Sequence, residues 1–159
     1  MTLYVAVRIR GTVDVSPEVS RTLYMLRLRR KFTATLYHSS QPGVLGMLKL
    51  AENWIAWGDI DRATLVELLR RRGRISGGKP LTDMWIRENL GLSGVEELAD
   101  KLLAGELYLN KLRIQGVKPF FRLHPPKGGF KGSIRRRYGD GGVLGYWGSD
   151  INKLLTLMI

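Results

Sequence analysis

The chain contains no cysteine and only two histidines among its 159 residues. Disulfides, thiolate metal sites and cysteine nucleophiles are therefore excluded together, and the lack fits a reducing compartment. His38 and His124 have no carboxylate at metal-ligand spacing beside them, so a zinc site has no basis in the sequence, and no cofactor is expected. Long apolar runs are also missing: none approaches the roughly 20 residues that span a bilayer. The first ten residues, MTLYVAVRIR, alternate and carry Arg8 and Arg10 where a signal peptide would be apolar. A cytoplasmic protein with no membrane partner is expected. Acidic residues are scarce, 14 against 26 lysines and arginines, which leaves a formal charge of +12. Solubility does not need so large an imbalance, and it points to a polyanionic partner.

What is present reads first as alternating elements. Leu3, Val5, Val7 and Ile9 share one side of a half-buried strand, which would leave Arg8 and Arg10 as simple strand-edge cations. Ser16 with Pro17 behind it marks a helix start, and Val19, Leu23 and Leu26 extend that helix to about Leu28. Phe32 to Tyr37 forms a second strand, and Val44, Met47, Leu48 and Ala51 carry a second helix. Trp54 to Trp57 gives a third strand. Residues 1–60 thus spell βαβαβ, with helices on one sheet face and the other face open to a partner or to the rest of the chain. Residues 61–159 form a mostly helical extension packed on that core: helices around Leu65 to Leu69, after the Thr82 cap, and from Val95 to Leu103, the last with a Ser93–Glu96 capping-box spacing. A returning strand follows at Phe120 to Leu123. Residues 125–148 form a basic Gly/Pro-rich loop without core periodicity. Ser149-Asp150 caps a final helix whose apolar face is Ile151, Leu154, Leu155 and Met158. The fold class is α+β.

The cations are clustered. Lys127, Lys131, Arg135, Arg136 and Arg137 occur within eleven residues without an acid, flanked by Phe130 and Tyr138. Such a cluster repels itself unless phosphates lie between the charges, and its rings can stack on unpaired bases. Folded RNA meets both requirements, so the loop is expected to become ordered on it; a solvated loop is the plainer alternative. Arg27, Arg29, Arg30 and Lys31 close the first helix, where the helix dipole accounts for one or two cations and not four. Arg70, Arg71 and Arg72, followed by Arg74, fan around another helix end, and a structural role explains them as well as RNA does. Arg122 and His124 join the candidate RNA-contacting set.

Catalytic patterns are weak. Gly73 to Pro80 comes within one residue of a phosphate loop, but Pro80 stands where a magnesium-binding hydroxyl belongs and a helix precedes it, so a turn is the better reading. Asp140 in Gly-Asp-Gly-Gly is a turn residue first. Three functions remain open: an RNA-binding structural component, an RNA-processing enzyme or targeting subunit with Asp140 or His124 in a dispersed site, and a free regulatory RNA-binding module.

Thr22-Leu23-x-x-Leu26-x-Leu28-x-Arg30-x-x-Thr33-x-Thr35, continued by Met47-Leu48-x-x-Ala51-x-x-Trp54-Ile55, resembles the large-subunit ribosomal protein family called L-thirty in bacteria and archaea and L-seven in eukaryotic cytoplasm. The segments LVELLRRRG (65–73), FRLHPPKGG (121–129) and GDGGVLG (139–145) resemble the archaeal long form, so the likeness covers essentially the whole chain. The resemblance implies a ferredoxin-like core with an antiparallel sheet and docking on 23S ribosomal RNA, with 5S RNA and other large-subunit proteins nearby. It also implies no catalytic residues and no cofactor.

Overall fold

The alternation at the amino terminus does make a strand, β1 (Leu3–Arg8), in the computed structural model, which describes residues 2–159. The Ser16 hydroxyl accepts the Val19 amide at 3.3 Å and Pro17 opens α1 (Pro17–Met25), which ends earlier than the apolar spacing predicts. The Leu28 amide returns to the Leu23 carbonyl and the Arg27 amide to Tyr24, with Arg27 left-handed at φ 67. This pair of bonds is a Schellman stop, and it places an arginine where glycine usually stands. Arg29, Arg30 and Lys31 consequently lie in the link after the helix, not on it, and the dipole argument does not reach them.

Next come β2 (Thr33–His38), α2 (Val44–Leu50) and β3 (Ile55–Asp59). β1 lies between β2 and β3 and is antiparallel to both, with Leu3 opposite His38 and Arg8 opposite Ile55. The helices α1 and α2 cover one sheet face, where Leu23, Leu48, Tyr37 and Trp57 form one apolar cluster. The opposite face is occupied by the chain itself. Val5, Val7 and Leu36 pack with Leu68 of α3 (Arg62–Arg72), Leu98 and Leu102 of α5 (Val95–Ala104) and Leu155 of α6 (Ile151–Met158). Ile151, Leu154, Leu155 and Met158 are all buried, as their spacing predicts.

Arg8 departs from its expected place at a strand edge. Because β1 is the central strand of the core, the Arg8 side chain is 5% exposed. It donates to the carbonyls of Leu28 (2.8 Å), Arg10 (2.8 Å) and Gly11 (3.1 Å), tying the α1–β2 link to the end of β1. Arg10 is the more exposed of the two and lies 4.5 Å over the Trp54 ring.

The extension adds α4 (Asp83–Leu90), whose Thr82 cap accepts the Trp85 amide. The start of α5 is built differently from the expected Ser93–Glu96 box: Ser93 donates to Glu97 at 2.8 Å, Gly94 is the cap, and the Val95 amide goes to Asp83 at 2.8 Å. A 3₁₀ turn, Gly148–Asp150, leads into α6 in place of a side-chain cap. The sheet is also wider than the core. β4 (Phe121–Arg122) pairs antiparallel with β2, while β5 (Ser133–Arg137) and β6 (Gly142–Tyr146) continue beyond β3, giving the order β4-β2-β1-β3-β6-β5. β6 runs parallel to β3, with Val143 and Leu144 buried. The stretch expected to lack core contacts until RNA binds therefore contributes two strands. Gly58 permits the close approach of the last turn, since a Cβ there would stand 2.9 Å from the Ile151 side chain.

Candidate nucleic-acid interface

β4 is short because Pro119 precedes it and the Pro125-Pro126 pair follows; Phe121 points inward and is buried, while Arg122 points out. Thr33 of β2 faces Arg122 across the ladder, so the chain just before β2, with its three consecutive cations, lies beside β4. Two adjoining cavities of about 270 and 220 Å³ open there, and Phe120 and Arg122 line both. The first also takes Arg27, Arg29, Arg30 and Arg113; the second takes Arg72, Arg74 and Lys118. With five cations in one and four in the other, Arg122 common to both, a single cleft presents eight positive groups and no lining carboxylate.

No carboxylate side chain among the described residues pairs with them. The six ion pairs among the described residues involve Arg62, Arg70, Arg71, Lys101, Arg137 and Lys153, none of them in the cleft. Arg74 donates to the carbonyls of Arg71 (3.1 Å) and Gly73 (2.9 Å), bonds that orient it without cancelling charge, whereas Arg72 donates to the terminal oxygen of Ile159 (3.1 Å). The Arg29 guanidinium lies 4.0 Å over the Tyr24 ring. Like charges gathered in a concave, low-dielectric site focus a positive potential that attracts phosphate.

The candidate residues are thereby sorted. Arg27, Arg29, Arg30, Arg72, Arg74 and Arg122, which come from three separate sequence clusters, meet in the cleft. Lys31 is exposed beside them without lining it. Arg70 and Arg71 turn away from the cleft to ion pairs with Asp83 and Glu67. His124 is half-buried and its Nδ1 lies 2.6 Å from the Pro125 carbonyl; Lys127 is exposed. The β5 cations sit at the opposite edge of the sheet. Arg135 and Arg136 are exposed on β5, and Arg137 pairs with Glu52. Phe130 stacks with Phe32 and Tyr138 with Trp147, while Lys131 is exposed. The Tyr138 hydroxyl donates to Asp150 at 2.6 Å, and that bond, with burial and the Asp150 charge behind it, raises its pKa above the usual tyrosine value.

Arg113 and Lys118 belong to the cleft but stand alone in the sequence, one in a 3₁₀ turn (Leu112–Gln115) and one after it. No local pattern marks them. His38, by contrast, is 2% exposed and bonded to Ser40 and the Leu103 carbonyl, a packing role. The segment after α3 is a turn, with Gly77 and Gly78 at positive φ and Arg74 bridged to Pro80. Among the described residues no helix is long and apolar enough to cross a membrane.

The structure is of the ferredoxin-like α+β class, with a cationic cleft lined by no carboxylate side chain. The family described as Ribosomal protein L30p/L7e matches residues 4–55, which run from β1 to the first residue of β3. Relatives extend the match to the whole length. The chain is 60% identical to large ribosomal subunit protein uL30 of Aeropyrum pernix over all of both chains. It is 59% identical to that of Hyperthermus butylicus, over 99% of this chain and 90% of the relative, and 51% identical to that of Staphylothermus marinus, over 99% and 98%. The chain belongs to the uL30 family of large ribosomal subunit proteins, a structural and non-enzymatic family.

Proposed function

We propose that this chain is a structural constituent of the large ribosomal subunit, in the cytoplasm, and that it holds folded 23S ribosomal RNA through the β4 cleft. The observation that carries this is the convergence of eight cations from three parts of the sequence, none paired with a side-chain carboxylate, on one concave surface. A rigid site of this kind suits phosphates already fixed in space by RNA tertiary structure, because neither partner then loses much freedom on docking. The exposed arginines of β5 supply a second contact on the far side of the sheet, which lets one small protein bridge two RNA elements. A position near 5S RNA and against other large-subunit proteins belongs to the same proposal.

The test is binding of purified chain to large-subunit RNA across a salt series, together with mass spectrometry of salt-washed large subunits. Binding that weakens by orders of magnitude between about 50 and 200 mM salt, and a chain retained on washed subunits, are expected. Salt-independent binding, or absence from the subunits, would contradict the proposal. Turnover of RNA that is lost in Asp140→Asn would instead identify a processing enzyme.

A further inference from the structure

A further cavity, of about 250 Å³, shares no lining residue with the β4 cleft and lies between the turn after β4 and α6. Its walls are aromatic: Phe130, Tyr138 and Trp147 all line it, with Leu154 and Leu157 of α6 behind them. The rings are held in place before any ligand arrives. Tyr138 and Trp147 stack at 3.9 Å and 13°, Trp147 Nε1 donates to the Val143 carbonyl at 2.8 Å, and Phe130 rests on Phe32 at 6.3 Å and 26°. The charged residues at this cavity are Lys131 and Lys153. Lys131 has no ion-pair partner among the described residues, and Lys153 is 86% exposed, with Asp150 3.9 Å away, a loose contact for an ion pair. Asp150 itself is engaged by the Tyr138 hydroxyl.

We infer that this cavity is a base pocket: it takes one unstacked nucleobase of an RNA strand, with Lys131 and Lys153 on the phosphates either side. The inference rests on the RNA-binding proposal and adds to it a second, sequence-tolerant contact of a different kind. Two features select a nucleotide over an apolar protein side chain or a lipid tail. Three aromatic rings line the cavity, which suits a π-face, and the two cations at it suit the two phosphates that necessarily flank any base in a strand.

The experiment uses the full chain and two small probes, adenosine 3′,5′-bisphosphate and the ribose 3,5-bisphosphate that lacks the base. Binding is followed by NMR through the Trp147 indole and the Leu154 and Leu157 methyl groups. The nucleotide is expected to shift these signals and to bind about tenfold more tightly than the abasic probe, the gain ordinarily made by one base stacking on aromatic side chains. Leu157→Trp, which fills the cavity from its half-buried wall, is expected to abolish the difference; Phe130→Ala, which removes one wall, is expected to shrink it and serves if the first variant unfolds. Equal affinity for both probes, unmoved Trp147 signals, or a difference unchanged in both variants overturns the pocket. If large-subunit RNA still binds with steep salt dependence while Trp147 is unmoved, the pocket alone fails. If RNA does not bind either, the underlying proposal fails with it.

Discussion

Arg122→Ala is the most informative single change, because Arg122 is the one cation that both cavities of the β4 cleft share. Each phosphate neutralised by the protein contributes about 0.7 to 0.9 to the slope of log affinity against log salt, so eight engaged cations give a slope of roughly −6 to −7. Removing Arg122 is expected to flatten that slope by about one such unit. A charge-assisted hydrogen bond contributes about 1.5–3 kcal/mol, so affinity at low salt is expected to fall about ten- to a hundredfold. Stability is expected to change little. Arg122 is exposed, its pairing with Thr33 is made by the backbone, and its ring contact is a distant one, 5.9 Å to Phe120; an exposed substitution of this sort usually stays within about 0.5 kcal/mol. The assay is fluorescence anisotropy of a labelled large-subunit RNA fragment over a salt series, with thermal unfolding in parallel. Arg62→Ala is the control, since that guanidinium is held by Asp100 at 2.8 Å and its loss is expected to leave the slope unchanged. An Arg122→Ala chain that binds with the original slope and affinity would refute the idea that the two cavities act as one phosphate site.

Replacing Arg135, Arg136 and Arg137 together by alanine is expected to weaken RNA binding at every salt concentration, while the unfolding midpoint stays within a few degrees, since all three are exposed. Arg8→Met is expected to destabilise the fold by about 3 kcal/mol or more, because the carbonyls of Leu28, Arg10 and Gly11 lose a common donor in a buried place; denaturant unfolding measures it. Asp83 accepts the Val95 amide, and that bond, partly offset by burial and reinforced by Arg70, holds its carboxyl below the ordinary 3.8. A carboxyl whose folded pKa lies below its unfolded one stabilises the fold above 3.8 and loses that contribution as pH falls through the folded value. Wild-type stability is therefore expected to drop more steeply below pH 3.8 than that of Asp83→Asn, as read from unfolding midpoints.

The core was legible because its elements announce themselves locally. The period of two from Leu3 to Ile9, the Ser16-Pro17 start and the Thr82 cap each rest on neighbours a few residues apart, and each formed where its pattern lies. Strand direction was not legible in the residues, since antiparallel pairing of β1 with both β2 and β3 depends on contacts remote in sequence; only the family resemblance supplied it. The period-two rule also misplaced Arg8. It assumes that one face of a strand meets water, whereas β1 is covered on both faces and flanked on both edges. The stop of α1 was hidden because Arg27, not glycine, takes the left-handed position. β6 was hidden for the opposite reason: Gly142 and Gly145 look like loop residues, yet small residues suit a strand buried on the sheet. The clusters of cations were visible, but their meeting was not. Arg113 and Lys118 carry no local mark of a site; contacts remote in sequence, such as the Lys118 amide on the Arg74 carbonyl at 2.9 Å, bring them to the cleft.

The central claim is that the β4 cleft faces RNA in the assembled subunit. Ultraviolet cross-linking of intact large subunits, followed by mass spectrometry of nucleotide-bearing peptides, tests it directly. The account predicts cross-linked nucleotides on the peptides that contain Arg27 to Arg30 and Lys118 to Arg122. Cross-links confined to other surfaces, with those peptides recovered unmodified, would contradict it.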